Sequence, residues 1–222
     1  MKFISKLFAA SALFAAAQAN ALIIDFGSPA WTPAANGTSS YTVGNVTVEA
    51  FKLDSLNNTV SAQLFANDTQ DGLGVRGGEP DEIDHTEWLE VTFANLVSLD
   101  YLSVTDFFPA ANENNRDGSD PVKGELGYIE LFWGATSLGV TPIYGMNSTI
   151  VNGNQTIAFG GAAVTKIKLW ADPTIRTGLL APLGRNEYSL KSIEVPEPGI
   201  FALLGLGLMG LGLSRRRLAK KA

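Results

Sequence analysis

The sequence predicts an all-β protein, an antiparallel β-sandwich of jelly-roll-like arrangement, and three observations carry that expectation. Apolar and polar residues alternate at period two in many short windows, the pattern of strands with one buried face. Clusters of Gly, Asn, Asp and Pro separate these windows and favour turns. Between the two chain ends, no stretch combines a helical apolar period with capping residues.

Residues 1–21 have the three parts of a secretory signal, which would form a short helix. Lys2 and Lys6 give a positive start, residues 7–17 are apolar, and Ala19-Asn20-Ala21 offers the small-x-small pattern that a signal peptidase cuts. As a helix the apolar run reaches about 17 Å, too short for the ~30 Å of a bilayer's hydrocarbon core. Cleavage there makes Leu22 the first residue of the exported chain.

The domain proper is expected over residues 22–194. Its clearest strand windows are 41–53, with a bulge expected where Ala50 and Phe51 adjoin, then 88–93, 101–105, 128–133, 157–159, 164–170 and 188–195. Weaker alternation marks 22–26, 61–66 and 138–144. Eight to ten short strands of this kind suit two packed sheets.

The formal net charge of −6 hides a division along the chain. Lys2, Lys6, Arg215, Arg216, Arg217, Lys220 and Lys221 lie at the ends. Residues 22–195 therefore hold 9 Lys/Arg against 21 Asp/Glu, a net of −12. Such a domain repels phosphates, so nucleic acid is not an expected partner, and it tolerates divalent cations. The chain has no cysteine, which excludes disulfides, thiolate metal sites and cysteine nucleophiles.

Carboxylates crowd residues 67–90, where Asp68, Asp71, Glu79, Asp81, Glu82, Asp84, Glu87 and Glu90 alternate with four glycines. Carboxylates this close repel one another unless they are solvated, protonated or bound to a cation. A flexible loop of hard oxygen ligands suits calcium. The expectation is a structural calcium at Asp81 and Asp84, assisted by Glu82, set against a simple solvated loop. Residues 112–120 imitate part of an EF-hand loop, but the first position is not Asp and the twelfth is Gly124, so a solvated turn is expected. The four tryptophans are expected chiefly in the sandwich core; Trp31, between Pro29 and Pro33, is the one with most reason to be exposed, where its ring could stack on a sugar.

The expectation is that this is not an enzyme. His85 is the sole histidine, so no histidine-based metal site can be built. A Ser-His-Asp arrangement would depend on His85 amid carboxylates that favour its charged form, which spoils a general base. No Gly-x-Ser-x-Gly elbow or phosphate-binding glycine loop occurs. Two carboxylates suffice for glycoside hydrolysis. An exopolysaccharide hydrolase or lyase therefore stands as the alternative.

The C-terminal end is the most distinctive part. Pro196-Glu197-Pro198-Gly199 breaks regular structure, since two prolines fix φ and remove backbone donors. Residues 200–213 follow without a charge and are expected to form a hydrophobic helix, closed by Arg215, Arg216 and Arg217. Fourteen residues reach about 21 Å as a helix, marginal for a bilayer. The trailing positive cluster holds the terminus in the cytoplasm and the preceding domain outside.

This tail, residues 195–222, resembles the PEP-CTERM sorting signal of Gram-negative bacteria, here joined to a β-sandwich ectodomain. The resemblance implies processing by an exosortase near Pro196–Pro198, a transient stay in the inner membrane, and delivery to the cell surface or extracellular matrix. It also implies a structural or glycan-associated role in exopolysaccharide and biofilm.

Overall fold

A computed structural model of the chain describes residues 22–66, 69–77, 82–107, 125–145, 153–173 and 186–196. The helices expected over the signal and the apolar tail, and the turn expected at 112–120, lie outside these residues. Residues 23–195 form one compact unit to which the chain ends do not belong. Among the described residues there are eleven strands and no α-helix. The strands are β1 (Leu22–Asp25), β2 (Ser40–Val43), β3 (Val46–Leu53), β4 (Thr59–Ser61), β5 (Gln63–Phe65), β6 (Gly74–Arg76), β7 (Glu87–Thr105), β8 (Leu126–Trp133), β9 (Thr136–Tyr144), β10 (Gln155–Ala171) and β11 (Ser189–Val195). No described helix is long and apolar enough to cross a membrane.

The larger sheet has the order β1-β11-β7-β10-β8-β9, and β3 joins it on β7 with β2 and β4 at its own sides. The short pair β5–β6 stands apart as a second sheet. The strands whose register is defined all pair antiparallel. The alternation seen in the sequence is the burial pattern observed. In β7, Leu89, Val91 and Phe93 face inward while Trp88, Glu90 and Thr92 face outward and are half-buried.

The strands of the middle are longer than the sequence windows imply. Windows 88–93 and 101–105 belong to one 19-residue strand, β7, and windows 157–159 and 164–170 to one 17-residue strand, β10. A straight strand of that length would run about 60 Å, beyond the diameter of a compact unit of this size. The pair bends instead. Its register shifts between Ala158 and Ala162 and again between Val164 and Lys166. Opposite the second shift, Ala94, Asn95 and Leu96 are exposed. Bulges of this kind turn a strand and increase its twist. β10 occupies one flank of β7 throughout, and β3 and β11 share the other flank in succession. Both halves of β7 supply one contiguous core, with Leu89 and Leu102 buried alongside Ile167 of β10 and Ile193 of β11. The fold is thus the antiparallel β-sandwich expected.

Smaller differences have local causes. Window 41–53 is a hairpin, β2 and β3, turning at Gly44-Asn45, and β3 runs against β7 from Val46 to Lys52 without a bulge at Ala50–Phe51. Leu73 and Ile83 bridge to Leu190 and Tyr188, which ties the glycine-rich segment into the core.

Candidate functional site

Among the described residues, a concavity lies where β3 ends and β7 begins. The cross-strand pair Lys52–Glu87 closes that ladder. Beyond it, Leu53 N–H donates to Thr86 O at 2.9 Å, and Glu87 N–H donates to Asp84 O at 2.9 Å. On the β3 side the chain turns through residues 54–58. Asp54 Oδ1 accepts the N–H groups of Leu56 and Asn58, each at 2.8 Å, an Asx turn of the kind short carboxylates build. These donors, the Asn58 backbone first, hold the Asp54 carboxyl below the ordinary range.

Between the two turns is a cleft of about 360 Å³ lined by Lys52, Asp54, Ser55, Asp84, His85 and Glu87 with their neighbours. Two of its carboxylates are buried, Asp84 at 2% exposure and Glu87 at 3%. Neither is idle. Asp84 Oδ1 accepts from the backbone and from ring Nδ1 of His85. Glu87 Oε2 accepts the Asp84 N–H at 3.2 Å. The lining thus combines carboxylates with the Ser55 and Thr86 hydroxyls and the Lys52 ammonium, groups able to hydrogen-bond a polar ligand.

The outer face of the same ladder is aromatic. Phe51, Trp88, Trp170, Tyr128 and Pro142 are successive cross-strand partners from β3 to β9. Phe51 stacks on Trp88 with ring centroids 5.6 Å apart, and Tyr128 stacks on Trp170 at 5.3 Å. Lys168 fills the middle, its Nζ 4.7 Å from the Trp88 centroid and 5.6 Å from that of Trp170. Beside this row, Lys166 pairs with Glu90 at 3.0 Å and lies over Phe132 at 4.5 Å.

The residues singled out from sequence fare differently. Trp31 is a correction: only 2% exposed, it packs edge-on against Phe26 at 4.9 Å and Tyr41 at 5.8 Å. Its flanking residues form a compact turn with the Trp31 N–H bonded to Ser28 O, which leaves no ring face for a sugar. The tryptophan that stands out is Trp133, 60% exposed at the β8–β9 turn. Asp81 lies outside the described residues. Asp84 turns toward His85, and no three His, Asp or Glu side chains among the described residues converge as metal ligands. Sequence reasoning passed over Lys52, Asp54 and Ser55, because nothing in a linear pattern places the 54–58 turn beside residues 84–87.

At the far end of the domain, β11 runs to Val195, which is buried, and Glu194 pairs with Tyr101. Pro196 follows and removes the next ladder donor. Residues 194–217 match the model of the PEP-CTERM protein-sorting motif. The chain carries a PEP-CTERM sorting motif. The motif therefore begins on the last two residues of the sandwich; Glu197, Pro198, Gly199, Arg215, Arg216 and Arg217 lie outside the described residues. A PEP-CTERM motif marks an exported protein that an exosortase processes, by way of a membrane-anchored intermediate, on the route to the cell surface. Among curated proteins none matches the chain. Two of the solved structures to which the chain is similar share 11% identity with it. One is the lectin domain of lectinolysin complexed with Lewis B antigen, covering 80% of this chain and 92% of that one at a TM-score of 0.28. The other is a His 62 mutant of that domain with Lewis b, covering 81% and 92% at 0.29. Superposition that loose carries no inference about what this chain binds.

Proposed function

We propose that this PEP-CTERM protein is a non-enzymatic component of the extracellular matrix of a Gram-negative bacterium, structural or glycan-associated, acting in exopolysaccharide and biofilm. The observation that carries the reading is the position of the motif. The sandwich completes its last strand at Val195 and Pro-Glu-Pro begins at the next residue, so processing there would release an intact fold. Signal peptidase acts at the other end and the inner membrane holds the chain only in transit. The polar cleft at Lys52–Asp54 and Asp84–Glu87 supports contact with a polysaccharide. Calcium at Asp81, Glu82 and Asp84 belongs to the same reading as a stabiliser of that loop, and calorimetric titration with calcium tests it: no heat, and no change in melting temperature with chelator, removes it.

One observation favours a second reading, an exopolysaccharide hydrolase or lyase: Asp84 and Glu87 are two buried carboxylates on one cleft. A single experiment separates the two. The exported protein is incubated with polysaccharide from its own source, and both retention on the polymer and new chain ends are measured. Retention without new ends supports the matrix role; new ends support the enzyme; neither result leaves the sorting assignment standing and removes the glycan.

A further inference from the structure

The sorting motif overlaps the fold. Its match begins at Glu194, and Glu194 and Val195 are the last two residues of β11. An extended peptide is captured through its free backbone groups and its alternate side chains. β11 offers neither. On one edge it pairs with β7, from Ser189 opposite Thr105 to Glu194 opposite Tyr101. On the other edge its neighbour is β1, and Phe26 N–H donates to Lys191 O at 3.0 Å. Leu73 and Leu190 exchange backbone bonds of 3.0 and 2.9 Å on that same edge. Leu190 and Ile193 are fully buried, and Val195 is 5% exposed.

Pro196 changes this at once, because it has no N–H and the ladder cannot continue through it. Beyond the strand, only residues 196–199 precede the uncharged run at 200–213. Four residues reach at most about 14 Å when fully extended. In the membrane-anchored intermediate, the chain open to an enzyme between fold and lipid is no longer than that.

We infer that the exosortase takes the sandwich folded and reads the chain only from Pro196 onward. Glu194 and Val195 fall inside the matched motif, but they belong to the fold, and the end of β11 sets the upstream limit of recognition. The inference rests on the sorting reading above and adds which residues the processing enzyme does not grip. The alternative is that the enzyme unzips β11 from its end. Freeing the strand back to Ser192 would break its pairing at Ser192, Ile193 and Glu194 and lift Ile193 and Val195 out of the core. Strands held on both edges over a core are among the last parts of a fold to open.

The chain has no cysteine, so one engineered bridge can lock the strand. Ser192 and Ser103 are direct cross-strand partners. Such pairs stand about 4.5–5.5 Å apart at Cα, within disulfide range. The full chain carrying Ser103→Cys with Ser192→Cys is exported in cells of its own source, with each single change as a control. Loss of the tail is followed by mass, and the bridge by its shift on reduction. The locked chain is expected to lose its tail to the same extent as the parent, since nothing in β11 has to open. A second variant covers the case in which the bridge disturbs folding. A Gly-Ser-Gly-Ser insert between Val195 and Pro196 moves the fold away from the motif and is expected to leave processing unchanged. A locked chain that keeps its tail while both controls lose theirs would mean that β11 is unzipped. An insert that abolishes processing would mean that Glu194 and Val195 are read together with Pro196. Either result overturns the inference and leaves the sorting assignment standing, whereas a parent that keeps its tail removes both.

Discussion

A Cβ placed on Gly127 of β8 would stand 2.5 Å from Cε1 of Tyr188, so the absent side chain is what lets the tyrosine ring lie against the strand. Tyr188 is fully buried, edge-on to Phe107 at 5.3 Å, and its hydroxyl donates toward the carbonyls of Tyr128 and Trp170, each at 3.2 Å. Burial pushes its phenol far above the ordinary range. Gly127→Ala is expected to destabilise the fold by about 1–3 kcal/mol through overpacking. Tyr188→Phe removes one hydrogen-bond donor and is expected to cost about 1 kcal/mol. Urea unfolding of both variants measures this, and a Gly127→Ala protein as stable as its parent contradicts the contact.

Lys168 gives the second prediction. Its cross-strand partners are Glu90 and Glu130, yet its nitrogen lies over Trp88 and Trp170. Lys168→Met keeps the apolar stem and removes the charge. The expected loss is about 0.5–1 kcal/mol, the scale of a partly solvated cation–π contact. A double-mutant cycle with Trp88→Leu should recover a coupling of similar size, and additivity of the two changes would mean that the charge belongs to the glutamates.

Much of this molecule could be read before its fold was known, and the parts that could not share a cause. The alternation at 88–93 and 164–170 is local, so those strands were visible. The continuity of β7 through Ala94–Leu96 was not, because a bend exposes residues that interrupt the pattern on both sides. The PEP-CTERM tail is a linear signal and needs no fold to be seen. Trp31 looked exposed because prolines flank it. Its ring is instead drawn under Phe26 and Tyr41, a tertiary contact that no window contains. The cleft joins residues 52–55 to 84–87 through a ladder whose register only the folded sheet defines.

Tyr128 supplies a pH prediction. Its hydroxyl donates to Asp172 Oδ2 at 2.7 Å, and that bond, more than its partial desolvation, raises its pKa from 10.0 to about 12. The folded state holds the phenolic proton more tightly than the unfolded chain. The stabilisation is therefore complete below pH 10 and lost as pH rises toward 12. Asp172→Asn should move the tyrosinate titration down toward the ordinary value and flatten the fall in stability over that window. Absorbance titration of the parent and variant shows it, and an unchanged titration would remove Asp172 as the cause.

Asp54 holds the turn that walls the cleft, and its carboxylate acts in the opposite direction on the pH scale. Its pKa is lowered below 3.8 by bonds from the Asn58 and Leu56 backbone and the Asn58 side chain, which favour the charged form. The order it confers on residues 54–58 is present above the ordinary aspartate value and lost as pH falls through the lowered one. Asp54→Ala is expected to reproduce the acid state at neutral pH, with faster amide hydrogen exchange at Leu56 and Asn58. Leu53, bonded by its N–H to Thr86 and not to Asp54, should keep its protection. If sugar binding resides in this cleft, the same variant weakens it while leaving melting temperature nearly unchanged, since the turn is exposed and carries little of the core. Equal loss of protection at Leu53 would mean that the turn and the β3–β7 ladder open together, and the cleft could not then be loosened separately from the fold.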